Sequence, residues 1–203
     1  YHVFGCGEFK VHREDVEYVK CEDEYELIEK FIDIWTMHYP DIVTGWNTKF
    51  FDFPYLVNRI NKVFGEEKSV KLSPWGKVDG YEVTFKGKTQ RCYDIMGIAH
   101  LDYYELYRKY SANPNQESFK LDHICNVELG ERKLDYHEFE NLHQLYKLDY
   151  QKFIEYNVRD VELVSKLEDK IRLIELALTL AYDNKVNYED VMSQVRMWDT
   201  IIY

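Results

Sequence analysis

The chain has 203 residues, 45% apolar and 16% aromatic, with 18 Tyr and 11 Phe. That is globular composition, long enough for one substantial domain, and it excludes a disordered tail. The formal net charge of −11 excludes a uniformly basic nucleic-acid binder, so strand binding would need a local basic patch or metal ions that invert the local field.

Cys6, Cys21, Cys92 and Cys125 form no Cys-x-x-Cys or Cys/His cluster. This argues against zinc and disulfides and for a reducing cytoplasm. No apolar run approaches the ~18 residues of a membrane span, so no membrane partner is expected. No signal peptide is expected either, and the start at Tyr1 is read as that of a piece of a longer chain.

In chain order, residues 1–11 read as extended, interrupted by Gly5 and Gly7. A helix with an acidic first turn is predicted over 22–38, from Leu27, Ile28, Phe31, Ile32, Ile34 and Trp35 at helical spacing; Pro40 ends it. Residues 41–44 form a short β-branched strand with Gly45 turning out of it. A helix over 53–63 carries Pro54 in its first turn, where a missing N–H costs nothing. Alternating residues 77–94 around Lys86-Gly87-Lys88 predict a hairpin whose basic cluster is Lys86, Lys88 and Arg91.

Residues 98–101 are a buried strand leading into a helix at 103–110, and Asn113-Pro114-Asn115 breaks the chain. Helices are predicted over 119–127, ending near Gly130, over 149–183 as one helix or two, and over 188–202. This strand–helix alternation indicates an α/β layered domain.

Two acidic signatures carry the chemistry: Thr44-Gly45-Trp46-Asn47 leading to Phe51-Asp52-Phe53-Pro54-Tyr55, and Tyr156-Asn157-Val158-Arg159-Asp160. Four positions apart on a helix, Tyr156 and Asp160 share a face, while Arg159 and Glu162 point elsewhere and Glu162 is expected in solvent. A carboxylate with a phenol one turn away can hold a metal ion and orient water for phosphodiester cleavage; a surface Asp beside a half-buried Tyr would look the same. Asp52 follows a strand and turn, where α/β folds place active groups, though Asp there also suits a helix N-cap. Trp46 and Phe51 could stack on bases or be core, and Asn47 could reach sugar or phosphate or close an Asx turn. No His pair at i,i+4, no Gly-x-Ser-x-Gly and no Walker loop is present.

Together the two signatures resemble the second and third exonuclease motifs of family B DNA polymerases, with the replicative enzymes of large tailed bacteriophages nearest. Further similar stretches follow in order: Asn58-Arg59-Ile60, Leu72-Ser73-Pro74, Leu101-Asp102-Tyr103, Ser118-Phe119 and Trp198-Asp199. The resemblance implies an RNase H-like (DnaQ-type) proofreading fold, a mixed sheet flanked by helices with a protruding β-hairpin. The exonuclease domain would cover residues 1–185, and 186–203 would begin the connection to the polymerase palm.

It implies two-metal removal of mispaired 3′ nucleotides with Mg²⁺ or Mn²⁺. Asp52 would be the second-motif carboxylate, Asp160 a ligand of the nucleophile-side metal, and Tyr156 the residue orienting the attacking water. Trp46, Asn47, Phe51, Lys86, Lys88 and Arg91 would contact the substrate. The implied partners are single-stranded DNA, the primer 3′ end and the palm.

The family's first motif, an Asp-x-Glu on the first strand, is expected upstream of Tyr1, with no substitute for it in the chain. Weak metal binding and no activity of this chain alone are therefore expected. The lost strand would leave an open sheet edge and a tendency to dimerise. The alternatives are a stand-alone DnaQ-like exonuclease and a non-catalytic single-stranded-DNA-binding module.

Overall fold

The computed structural model describes residues 1–85 and 87–202. Strands and helices follow in the order β1 (His2–Gly5), β2 (Glu17–Lys20), α1 (Glu24–His38), β3 (Ile42–Gly45), α2 (Asp52–Phe64), α3 (Glu66–Ser69), β4 (Val78–Phe85), β5 (Lys88–Ile95), β6 (Ala99–Asp102), α4 (Tyr103–Tyr110), α5 (Leu121–Leu129), α6 (Leu142–Leu148), α7 (Tyr150–Ile171), α8 (Leu173–Asn184) and α9 (Gln194–Ile202). Short 3-10 turns cover Val70–Leu72 and Tyr188–Met192. The chain is mixed α/β. Among the described residues the expected mixed sheet appears as three two-stranded pairings: β1 with β2 and β3 with β6, both parallel, and β4 with β5, antiparallel. No helix among the described residues is long and apolar enough to cross a membrane.

Two compact units form by contact: Tyr1–Ile34 with Lys120–Leu167, and Trp35–Phe119 with Glu168–Tyr203. In the first, Val16, Ile154 and Val158 make a core against which Val3, Phe9, Tyr18, Tyr150 and Phe153 pack. These residues lie on the strand pair, on the segment that joins its strands and on one face of α7, so burying that face holds a long helix whose other side is charged. Gly5 is there for space: a side chain would collide with the Tyr150 and Tyr18 hydroxyls. The Tyr18 hydroxyl donates to the Gly7 carbonyl at 2.7 Å. Helix α6 is not among the expected elements. Its signal is Asn141-x-x-Gln144: the Asn141 side chain accepts the Gln144 N–H at 2.9 Å, and the Gln144 side chain accepts the Glu140 N–H at 2.7 Å.

In the second unit, β3 pairs with β6 from Ile42↔Ala99 to Gly45↔Asp102. Ile42, Val43 and Thr44 suit a strand, and the Thr44 hydroxyl donates to the Leu101 carbonyl at 2.6 Å. Gly45 lets the chain fold back, since a side chain there would run into Thr48. The hairpin pairs Val78↔Ile95 through Phe85↔Lys88, and Gly87 adopts φ 75°, a conformation that favours glycine. Tyr93 ties the hairpin to α2 by donating to Asn58 Oδ1 at 2.6 Å. Leu101 on β6 and Tyr103, Leu106 and Tyr107 on the inner face of α4 are fully buried.

The segment expected as one helix or two is two, broken at Arg172 in the left-handed region at φ 56°. The Glu168 carboxylate accepts the N–H groups of Ile174 and Glu175 at 3.0 and 3.3 Å and thereby caps α8. The expected helix over 188–202 is interrupted at Ser193, between the 3-10 turn and α9.

Candidate active site

The loop between β3 and α2 carries the first signature, and a residue on β6 shapes it. Asp102 is 3% exposed, and its Oδ1 accepts the N–H groups of Asn47 at 3.0 Å and Tyr104 at 2.9 Å. Its Oδ2 accepts the Lys49 N–H at 3.0 Å. One carboxylate thus caps α4 and fastens the loop ahead of Asp52. Burial pushes the Asp102 carboxyl up despite the three N–H bonds that pull it down. Asn47 adopts φ 64°, a left-handed conformation that Asn tolerates better than most residues.

Asp52 is the first residue of α2, and the N-cap is Phe51, which makes no side-chain capping bond. Asp52 therefore stands in the first turn rather than at the N-cap position. Asp52 lies at the surface, yet surrounding protein withdraws enough water to push its carboxyl up, against the pull of its own N–H. Phe51 is 68% exposed. Trp46, by contrast, lies in an aromatic cluster with Tyr103, Tyr104 and Tyr107 at centroid distances of 6.4, 5.9 and 6.0 Å. Its Nε1 donates to the Phe119 carbonyl at 3.2 Å, so packing is what its ring does here.

In the first unit, α7 presents Tyr156 and Asp160 on one face, as the four-residue spacing requires. Between them lies Lys133, whose Nζ is 2.6 Å from Asp160 Oδ2 and donates to the Tyr156 hydroxyl at 3.2 Å. The Lys133 ammonium also lies 5.3 Å from the centre of the Tyr156 ring. Its backbone N–H is held by Asp122 Oδ1 at 2.9 Å. Burial works against the Lys133 charge, but Asp160 outweighs it and raises the ammonium's pKa. Burial also dominates at Asp160, whose carboxyl is pushed up although Lys133 pulls it down. Tyr156 is pushed up by burial, then by the Asp160 charge. No motif or spacing points to Lys133, which lies in an irregular stretch 23 positions before Tyr156.

One atom marks this cluster as chemically unfinished. Asp160 Oδ1 is buried and has no hydrogen-bond partner, an arrangement that costs on the order of 1–3 kcal/mol unless a donor or cation meets it. A divalent ion would suit that oxygen, but hard cations take six or more oxygens. Among the described residues no group of three His, Cys, Asp or Glu could hold a metal. These residues alone therefore do not make a divalent-cation site.

The expectation that the chain holds no Asp-x-Glu is corrected in its letter, because the tripeptide occurs as Asp15-Val16-Glu17 and Asp160-Val161-Glu162. In neither are both carboxylates offered to one ion. Asp15 pairs with Arg13 at 2.7 Å and Glu17 with His2 at 3.1 Å. Glu162 is not the solvated residue expected: it faces Arg13, Arg159 and Lys166 at 3.2 to 3.3 Å.

Of the basic hairpin residues, Lys86 lies outside the described residues and Lys88 opens β5. Arg91 stands opposite Glu82, its guanidinium 5.6 Å from the Tyr93 ring centre and close against Gly80.

Comparison with known proteins adds lineage to this geometry. A model of the family described as DNA polymerase family B, exonuclease domain, matches residues 6–124. The DNA-directed DNA polymerase of Escherichia phage RB69 is 35% identical over 92% of this chain, and that of Enterobacteria phage T4 is 35% identical over 93%. The DNA polymerase of Bombyx mori nuclear polyhedrosis virus is 25% identical over 96%. The matched stretch is 20%, 21% and 20% of those three proteins, so the chain spans about a fifth of the length of the polymerases it matches. With more than half of its length under the family match, the chain belongs to the exonuclease domain of DNA polymerase family B.

Proposed function

We propose that this chain is the proofreading 3′–5′ exonuclease portion of a phage-type replicative DNA polymerase. The reading gives residues 1–185 an RNase H-like (DnaQ-type) fold and makes 186–203 the start of the connection to the palm. The observation that carries it is the α7 cluster, where the partnerless Oδ1 of Asp160 lies in the Tyr-x-x-x-Asp pattern of the family's third motif. Asp160 and Asp52 serve as the third- and second-motif carboxylates, and the Tyr156 hydroxyl orients the attacking water. Single-stranded DNA and the primer 3′ end are the substrates, and the palm is the intramolecular partner.

Exonuclease domains of this family depend on Mg²⁺ or Mn²⁺, which supply Lewis-acid stabilisation of the reacting phosphate. The described residues do not assemble enough oxygens for such ions, so this chain alone is predicted to be inactive. The test is digestion of a 5′-labelled single-stranded oligonucleotide with either metal. The expected result is no shortening by this chain, and 3′–5′ shortening by the chain extended with an Asp-x-Glu strand, lost in Asp52→Ala and Asp160→Ala. Robust metal-dependent cleavage by the unextended chain, abolished by Asp160→Ala, would make it a self-sufficient DnaQ-like nuclease instead.

A further inference from the structure

An open groove of about 620 Å³ in the second unit is lined by Asn47, Phe51, Lys49, Tyr104, Glu105 and Arg108, among others. Its cations are not equivalent. Lys49 Nζ is bonded to both oxygens of Glu105 at 3.2 Å, so its charge is already matched. Lys109 donates to the Val191 carbonyl at 2.9 Å, and burial lowers its pKa. Arg108 is exposed and has no carboxylate partner among the described residues. Its guanidinium lies 5.5 Å from the Tyr104 ring centre and 5.3 Å from that of Phe119, and its Nη1 donates to the Tyr104 hydroxyl at 3.3 Å.

Two ring faces and one hydrogen bond hold the guanidinium in place without neutralising it. In a chain of net charge −11, an arginine ordered by aromatics rather than by an acid is a ready receptor for an oxyanion. A guanidinium fork matches the two free oxygens of a phosphodiester. The same groove exposes Phe51, an apolar ring face of the kind on which unpaired bases stack. Fixed cation and exposed ring in one open groove are the two parts a single strand needs.

We propose that Arg108 is a phosphate seat for single-stranded DNA, binding a backbone phosphodiester in the groove that Phe51 and Asn47 line. The proposal rests on the exonuclease reading for the identity of the strand. It adds a residue that positions the strand without touching the reacting atoms.

The test is fluorescence anisotropy of a labelled oligothymidylate titrated with this chain in EDTA across a range of salt concentrations. Each phosphate contact to a single strand contributes about 0.7 to the slope of log affinity against log salt, so Arg108→Gln should lower that slope by about 0.7. At low salt Arg108→Gln should also bind about three- to tenfold more weakly, the size expected for one such contact. Arg108→Lys should keep the slope, and Phe51→Ala should lose affinity with the slope unchanged. An unchanged slope in Arg108→Gln, with or without a loss of affinity, overturns the phosphate seat while the exonuclease reading stands. No binding by the unsubstituted chain at low salt also overturns the phosphate seat, while the exonuclease reading is decided separately by 3′–5′ shortening with the extended chain.

Discussion

The Asp102 carboxylate accepts the N–H of Asn47 at 3.0 Å, joining the end of β6 to the turn that leads to Asp52. The same side chain holds Lys49 and caps α4 at Tyr104. Removing it orphans three N–H groups around a site that is 3% exposed. Asp102→Ala should therefore cost about 3 kcal/mol in urea denaturation, combining a lost cap with lost charged hydrogen bonds. Asp102→Asn should recover part of this, because an amide oxygen keeps some bonds while its NH₂ opposes an N–H. In both variants the amides of Asn47 and Lys49 should exchange hydrogen faster than in the parent.

The residues of this loop show where sequence is informative and where it stops. Trp46, Asn47, Phe51 and Asp52 are visible because they sit together in the chain, with β-branched residues before them and Pro54 after. Asp102 is 55 positions from Asn47. Its place before a helix suggests a cap, but nothing in the sequence says that both of its oxygens also reach back to the loop. Lys133 is harder still, since it lies in an irregular stretch and only tertiary folding brings it to Asp160. The break at Arg172 has no Gly or Pro to announce it, because a Glu168 side chain does the capping. Period and punctuation disclose helices and hairpins; partners that bridge distant segments are disclosed only by the fold.

His100 should not titrate near neutrality. Burial, followed by the Lys49 charge, lowers its pKa to about 4. Its Nε2 is 2.7 Å from the Thr48 hydroxyl, its backbone N–H donates to Glu189 Oε1 at 2.7 Å, and the Phe53 ring centre is 4.4 Å from that of the imidazole. With a folded pKa below the ordinary 6.5, the unfolded chain takes up the proton first. Stability from this residue is thus full above about pH 6.5 and is lost as pH falls toward 4, by up to about 3 kcal/mol. Asp52, Asp102 and Glu189 are pushed up by burial and act in the opposite sense. The measurement is therefore a difference: His100→Asn should show a weaker loss of stability between pH 6.5 and 4 than the parent. By NMR, the His100 ring should stay neutral at pH 5.5.

Lys133 should matter to stability through Asp160 more than through its own packing. The two side chains are 25% and 26% exposed. Lys133→Met leaves a largely buried carboxylate unpaired, a change that should cost about 2 kcal/mol at neutral pH. With the ammonium gone, burial and the Asp122 charge are opposed only by the Tyr156 hydroxyl, so the Asp160 pKa rises further. A carboxyl with a raised folded pKa favours folding at low pH, and this contribution is lost as pH rises through the window above its ordinary value. The deficit of Lys133→Met should accordingly shrink on acidification toward pH 4. Adding Asp160→Asn should restore most of the lost stability at pH 7, giving a coupling above 0.5 kcal/mol in the double-mutant cycle. Equal deficits at both pH values would show that Lys133 contributes packing rather than charge.

Glu162 ties three cations to α7: Arg13 from the segment before β2, and Arg159 and Lys166 from the helix itself. Glu131 joins the network through Arg159 at 2.5 Å and Lys166 at 2.9 Å. Isolated exposed pairs contribute little, but Glu162 is 19% exposed and serves three partners at once. Burial works against its charge, yet the Lys166 and Arg13 bonds prevail and hold its carboxyl below the ordinary range. A lowered folded pKa means stability present at neutral pH and lost as pH falls through the folded value. Glu162→Gln should cost about 1 kcal/mol at pH 7 and low salt, less in high salt where the pairs are screened. It should cost little once the pH falls below the folded pKa of Glu162, where the parent carboxyl is itself protonated. A loss independent of both salt and pH would mean that Glu162 acts through its hydrogen-bond geometry, which Gln largely keeps, and not through its charge.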